Sequence, residues 1–537
     1  MQLNENGLLN EREAWKEAGY QLPLYHREAM VKRTKENPFW LHFGAGNIFR
    51  AFQANVVEEL LNIGAIDRGL ISVGGHEAME KLFLPHDNYT VLVTLKANGT
   101  IQKRVVGSIA ESLTMDEGYE EHWERLKEIF QKDSLQLVSF TITEKGYDLL
   151  TAKGDYTPAV EIDLKNGPVA PVSYMGKLAS LLYMRYLAGE KPVAMVSMDN
   201  CSHNGEKLYQ TIMTFVENWT QKGLIDSGFE NYIQNSKKVT FPWSMIDKIT
   251  PRPDKMVECI LEKDGIQGLT PIITEKKTYI APFVNAEEAQ YLVIEDDFPN
   301  GRPELEKGGV IFAGRETVDQ VEKMKVCTCL NPLHTALAIF GCLLKYTKIS
   351  EEMSDPLLKK MVECIGYEEG LPVVKDPKVL DPEEFIRTVL EIRLPNPFMP
   401  DTPQRIATDT SQKLAIRYGE TIKAYVSSES FKIADLKCIP LVLAGWLRYL
   451  VGVDDMGEPF ELSPDPLLDT IRPVVSEIDI EIGEFRKDTL DFILENEKIF
   501  GVNLKKIGMA ETISNYFGEM IQGKGAVRRT LEKYIIE

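Results

Sequence analysis

The chain has 537 residues, with 61 Lys and Arg against 81 Asp and Glu, a formal net charge of −20. Its 44% hydrophobic and 26% charged content is that of a globular protein, and at ~100–200 residues per domain the length predicts two or three units. The acidic excess argues against a nucleic-acid partner, which needs clustered Lys and Arg, but a small anionic substrate needs only a few local cations. The longest apolar stretches, residues 336–344 and 438–447, are shorter than the ~20 residues of a membrane-spanning helix. The N-terminus, Met1-Gln2-Leu3-Asn4, carries neither the basic nor the apolar segment of a secretory signal. Seven scattered cysteines fit reduced thiols, so the expectation is a cytoplasmic protein without membrane contact.

In chain order, residues 1–37 read as a polar, partly helical lead-in. Residues 40–43 form a short buried-strand pattern, 51–63 a helix and 70–73 a second strand. Further strands are read at 91–95, 103–106, 135–142 and 193–198, with a helix at 175–187. Strands alternating with helices predict an α/β architecture, a mostly parallel sheet covered on both faces. Beyond about Ala286 strand signals thin out, and helices are read at 318–347, 355–365, 382–393, 411–424, 433–452 and 508–536. The texture therefore divides the chain into an α/β half, residues 1–285, and a mostly α-helical half, residues 286–537.

The first chemical signal is Phe43-Gly44-Ala45-Gly46-Asn47-Ile48-Phe49-Arg50, between strand and helix. Gly44 suits a tight turn, and Gly46 lets backbone approach a pyrophosphate at a helix N-terminus. Phe49 occupies the third glycine position, so the dinucleotide fingerprint is incomplete. Arg50 either pairs with phosphate or caps a surface. No Asp or Glu closes the strand at 69–73, where the ribose-binding carboxylate belongs; Asp67 precedes it and Glu77 follows. The choice between NAD and NADP is therefore not legible in these residues, and the expectation of NAD leaves NADP open.

Four polar clusters interrupt apolar surroundings: Thr143-Glu144-Lys145-Gly146-Tyr147, the stretch from Asp199-Asn200 to Asn204-Gly205, Asp247-Lys248-Ile249-Thr250-Pro251, and the stretch from Lys325 to Asn331 and His334. The first two follow strands, where open α/β sheets bind their ligands. With the glycine turn and residues 294–303, these segments in this order resemble the polyol-specific long-chain dehydrogenases, the family of mannitol 2-dehydrogenase and the hexuronate reductases. The likeness runs from about Leu22 to at least Arg417, most of the chain.

The resemblance implies a Rossmann-type cofactor domain, a helical substrate domain and metal-independent hydride transfer. It implies Lys325 as general acid/base, Asn200 and Asn331 as donors to the reacting oxygen, and His334 as the group that orients the substrate. The implied cofactor contacts are Phe43, Gly44, Ala45, Gly46, Asn47, Ile48, Arg50, Thr143, Glu144 and Asn200. A lysine serves this chemistry near neutral pH when burial or nearby charge lowers its pKa, and asparagine amides stabilise a developing alkoxide without titrating. One departure stands out. The family places four residues between the lysine and the asparagine, whereas five lie between Lys325 and Asn331, and Pro332 disfavours an uninterrupted helix there. His203, Cys327 and Cys329 read as structural, and Glu295-Asp296-Asp297 as domain-joining or loop structure.

For the substrate, the stretch from Asp401 to Arg417 offers Arg405, Lys413 and Arg417, and Asp247 is a further candidate contact. A hexuronate carboxylate needs such cations and mannitol does not. Extra length relative to typical mannitol dehydrogenases also leans towards the hexuronate branch. The expectation is an NAD-dependent enzyme interconverting D-mannonate and D-fructuronate, monomeric or weakly homo-oligomeric. Mannitol 2-dehydrogenase and tagaturonate reductase are the near alternatives. A non-catalytic dinucleotide sensor, motivated by the irregular lysine spacing, is the alternative of a different class.

Overall fold

The computed structural model describes residues 1–275, 277–476, 478, 480 and 482–536. The chain forms two compact units, residues 1–96 with 100–319 and residues 97–99 with 320–537.

The first unit is built on six strands: β1 (Trp40–Phe43), β2 (Leu70–Gly74), β3 (Ile109–Thr114), β4 (Leu137–Phe140), β5 (Val193–Ser197) and β6 (Val239–Thr240). They lie in the order β3-β2-β1-β4-β5-β6, every neighbouring pair parallel. Because helices cover both faces, β1, β4 and β5 are buried along their whole length. Alternation along the strands feeds two cores. Leu41, Phe43, Val138 and Phe140 pack with α2 (Tyr174–Leu187) and α3 (Asn204–Gln221), while Trp40, Leu70 and Leu137 pack with α1 (Ala54–Asn62). The order reverses between β1 and β4, which opens the crevice at the carboxyl ends of those strands where doubly wound sheets bind ligands.

Strands Thr90–Leu95 and Ile101–Val106 do not belong to this sheet. They pair antiparallel, Thr90 opposite Val106, in a separate sheet with Tyr20–Gln21 and Phe283–Glu287. The missing parallel strand is β3, whose charged Glu111 breaks the apolar run. The division near residue 286 also shifts, to residues 319 and 320. Strands Tyr291–Glu295 and Ile311–Ala313 form a sheet with Ser244–Asp247, which keeps them in the first unit, and Glu295 ends a strand.

The second unit is mostly helical. The division falls inside α4 (Arg315–Met324), which leads through a π-helical turn, Lys325–Cys329, into α5 (Asn331–Leu343). Together these make one helical run, Arg315–Leu343, long and apolar enough by composition to cross a membrane, but 83% of its apolar window is buried inside the protein. Helix α6 (Cys438–Leu450) is buried at every residue, as expected for a helix apolar all round. A Cβ on Gly445 would lie 2.6 Å from the Phe340 ring, so the missing side chain lets α5 and α6 approach closely. The Glu369 carboxylate accepts the backbone N–H groups of Lys437, Cys438 and Ile439 at 2.6–2.8 Å and caps α6. Burial nevertheless raises its pKa to about 7.

His42, inside β1, is fully buried. Its Nδ1 lies 2.6 Å from Ser139 Oγ and its Nε2 2.9 Å from Thr141 Oγ1, with the ring stacked on Phe49 at 4.2 Å. Burial pulls its pKa down to about 3. An unfolded histidine takes up a proton below about 6.5, while the folded one resists to about 3, so stability is complete above pH 6.5 and is lost as pH falls through that window. Replacing His42 with Asn is expected to flatten the decline in urea-unfolding free energy between pH 7 and 5 by up to about 1.4 kcal/mol per pH unit. Parallel declines in the two proteins would refute it.

Candidate active site

In the first unit the chain leaves β1 through Gly44, held at φ +108°. A Cβ there would lie 2.1 Å from the Thr141 carbonyl oxygen at the end of β4, so two independent constraints demand glycine. Gly46 differs: a Cβ there meets nothing within 4 Å, and the residue is exposed. Its bare backbone is not required by packing, and it stands just before a helix N-terminus, a position at which backbone N–H groups commonly bind phosphate. Ala45, Asn47 and Ile48 flank this opening, partly exposed. The Phe43 ring lies in the core against Phe140, and its carbonyl accepts from Thr141 N at 2.8 Å.

Arg50 is already engaged by the protein, its Nε donating to Gly46 O at 3.4 Å. It is 1% exposed, and its guanidinium donates to Ala281 O at 2.6 Å, to Asn47 Oδ1 at 2.9 Å and to Thr90 Oγ1 at 3.3 Å. Burial draws its pKa down to about 9. The structure therefore shows Arg50 bracing the turn. Asn47 shares the task, its Nδ2 donating to Pro251 O at 3.1 Å, which ties the Asp247–Pro251 motif to the glycine turn.

The loops after β4 and β5 are locked together by Asp199. Its buried carboxylate accepts from Thr143 N at 2.8 Å, Ile142 N at 3.0 Å and the Tyr147 hydroxyl at 2.6 Å. This holds Thr143 at φ +66°, a conformation costly for a β-branched residue and concentrated at functional sites. Desolvation raises the Asp199 pKa, against the pull of those hydrogen bonds. Asn204 is also buried. Its amide donates to Asp199 O and Ser244 O at 3.0 Å and accepts from Ser244 N at 3.0 Å. Asn200 is thus displayed, exposed, on a loop clamped at both ends. Glu144 is exposed and pairs with Lys207 at 2.7 Å. Asp247 is buried and ends its strand opposite Tyr291. His203 stacks on Trp243 at 4.2 Å, with Nε2 3.0 Å from Asp319, consistent with a structural role.

In the second unit Lys325 is 3% exposed and opens the π-helical turn. Leu330 N donates to Lys325 O at 3.1 Å, an i→i+5 bond. Such a turn carries one residue more than an α-turn, and it accommodates the longer spacing to Asn331. Leu330 then leaves helical geometry, at φ −130° and ψ −62°, and α5 begins with Pro332 in its first turn, where a missing N–H costs nothing. Of the thirteen residues of α5, only Asn331 and His334 are not fully buried. They share one face at i,i+3.

His334 carries an unsatisfied polar atom. Its Nε2 lies 3.6 Å from Asp401 Oδ2, beyond hydrogen-bond reach, and finds no partner among the described residues. Burial drives its pKa down to about 4. Asp401 opposes that shift, while Arg417, Arg405 and Arg393 reinforce it, so the imidazole is neutral near pH 7. Arg405 pairs with Asp401, and the Lys413 ammonium donates to Thr408 O. Burial, then the charge of Arg417, lowers the Lys413 pKa. The structure thus brings Arg405 and Arg417 to His334, which shares a face with Asn331, and places Lys413 beside Arg417 and Arg405. It adds Arg393, which sequence reasoning read only as the end of a helix.

The mannitol dehydrogenase Rossmann domain matches residues 39–307, and the mannitol dehydrogenase C-terminal domain matches residues 317–520. The chain belongs to the mannitol dehydrogenase family. As a member it is an oxidoreductase with a Rossmann-type domain followed by a helical one. It is 51% identical to D-mannonate oxidoreductase of Thermotoga maritima, over 100% of this chain and 99% of that protein. It is 29% identical to mannitol 2-dehydrogenase of Aspergillus fumigatus, over 84% and 85%. Among solved structures, D-sorbitol dehydrogenase in substrate-free form aligns with a TM-score of 0.78 at 25% identity, covering 96% and 98% of the chains. The Pseudomonas fluorescens mannitol 2-dehydrogenase ternary complex with NAD and D-mannitol aligns at 0.71 and 25%, covering both chains in full.

The two glycines predict different failures. Gly44→Ala is expected to unfold the first unit or lower its melting temperature sharply. Gly46→Asp should leave the melting temperature near wild type while abolishing NADH binding in a fluorescence titration, because it places a carboxylate against pyrophosphate. Retained NADH affinity in Gly46→Asp would exclude this turn as the cofactor site.

Proposed function

We propose that this protein is an NAD(H)-dependent oxidoreductase interconverting D-mannonate and D-fructuronate. The observation that carries the reading is the charge around His334. In a chain of net charge −20, three arginines and one aspartate surround a neutral imidazole whose Nε2 has no hydrogen-bond partner among the described residues. A neutral polyol has no use for that imbalance, whereas a hexuronate brings the missing negative charge. The 51% identity to D-mannonate oxidoreductase over the full length supports the same choice.

A bound nicotinamide supplies hydride exchange at the carbinol carbon. The chain's own residues handle the proton and the oxygen. Lys325 Nζ takes the hydroxyl proton when the alcohol is oxidised and returns it when the ketone is reduced. The Asn331 amide, which has no protein partner for its side chain among the described residues, donates to the oxygen as negative charge develops. Asn200 is the second proposed amide donor. His334 presents Nε2 to a substrate hydroxyl and remains neutral through the physiological range. The π-helical turn gives the longer lysine–asparagine spacing a regular hydrogen bond, which removes the ground for a non-catalytic sensor.

With fructuronate, tagaturonate and fructose compared against NADH and NADPH, fructuronate with NADH is expected to give the highest kcat/KM; a preference for fructose over both uronates would defeat the substrate reading. Lys325→Met should lower kcat by about 10²- to 10⁴-fold, the usual range for losing a general acid/base, with NADH affinity retained. Unchanged turnover would remove Lys325 from the chemistry.

A further inference from the structure

We propose that Arg417 is the receptor for the substrate's carboxylate, an inference that rests on the hexuronate reading and names the residue that enforces it. Arg417 lies in a π-helical turn, Ala415–Gly419, fastened to the first turn of α5 at two points. The hydroxyl of neighbouring Tyr418 donates to Pro332 O at 2.6 Å. The Arg417 guanidinium donates through NH1 to Thr335 Oγ1, and that hydroxyl donates in turn to Asn331 O at 2.9 Å. One N–H thus anchors the side chain on the turn that presents Asn331 and His334, beside the imidazole whose Nε2 has no partner.

The other cations near His334 are committed elsewhere. Arg405 is 61% exposed and neutralised by Asp401. The Lys413 ammonium donates to the Thr408 carbonyl. Arg393 is almost fully enclosed. Arg417 is half-buried, and among the described residues no carboxylate pairs with it. Burial pulls its pKa down to about 10, which still leaves it charged near neutrality. A desolvated cation without a counter-ion is unfavourable until an anion arrives, and the free edge of a guanidinium matches a carboxylate in bidentate geometry. Binding a uronate there satisfies a charge that the folded protein leaves uncompensated; binding a neutral ketose does not.

The test is the ratio of kcat/KM for fructuronate to that for fructose in wild type, Arg417→Gln, Arg417→Lys and Thr335→Val, with NADH affinity and melting temperature as controls for folding. In Arg417→Gln the ratio is expected to fall 10- to 100-fold, the range for losing a charge-assisted hydrogen bond. The fall should appear in KM for the uronate more than in kcat. Arg417→Lys should keep part of the ratio through its charge, and Thr335→Val, which loosens the anchor, should raise the uronate KM by a smaller factor. Equal losses on both substrates, or an unchanged ratio in Arg417→Gln and Arg417→Lys, would overturn the proposal while leaving the hexuronate reading intact. A wild type that prefers fructose overturns that reading, and this proposal with it.

Discussion

The i→i+5 hydrogen bond from Leu330 N to Lys325 O is the constraint on which the second unit's chemistry depends. An α-helix continued through this point would have to place Pro332 in its interior, at a cost of about 3 kcal/mol or more. The π-turn ends one helix and starts another, so Pro332 falls in a first turn and Asn331 at a helix start. The same turn encloses Lys325. Thr328, inside it, packs against Gly370, where a Cβ would lie 2.6 Å from Thr328 Cγ2. Residue 370 closes the π-turn Cys364–Gly370, and the preceding residue, Glu369, caps α6. The geometry that presents Lys325 is therefore tied to the most deeply buried helix of its unit.

The first unit solves a different problem, that of exposing backbone at the carboxyl end of a central strand without loosening it. Gly44 and Thr141 are pressed so close that no side chain fits between them. Asp199 then cross-links the next two loops through three hydrogen bonds, and Arg50 and Asn47 brace the start of the helix from behind. What remains open is Gly46. Rigidity around an opening of this kind reduces the ordering that binding would otherwise require.

The parts legible in the sequence were those set by neighbours in the chain. The glycine turn is local, since a tight strand-to-helix turn and a bare backbone are both properties of a few consecutive residues. Asn331 and His334 share a face by helical spacing alone. What could not be read depends on distant pairing. Strands Tyr291–Glu295 and Ile311–Ala313 are short, and they belong to the first unit only because Ser244–Asp247 pairs with the former. Beside a glycine turn Arg50 reads equally as a phosphate ligand or a surface cap, and only the positions of Ala281 and Thr90 show its donors already engaged. Asp199 reads as loop polarity until its partners after β4 are in place. Arg393 carries no local signal at all, since its nearness to His334 is a product of helix packing.

The charge balance connects these observations to selectivity. A net charge of −20 repels anions at long range, but that repulsion is screened over about 8–10 Å at physiological ionic strength. Inside a partly desolvated cluster the balance reverses, because buried charges interact more strongly than solvated ones. Burial holds the His334 pKa down to about 4, and the arginines that add to that shift also attract a carboxylate. On the proposed reading, a substrate carboxylate compensates Arg417, which no carboxylate pairs with among the described residues, and a neutral sugar does not. The proposed selectivity for the acid would then follow from the cost of leaving Arg417 uncompensated, whatever the sign of the protein as a whole.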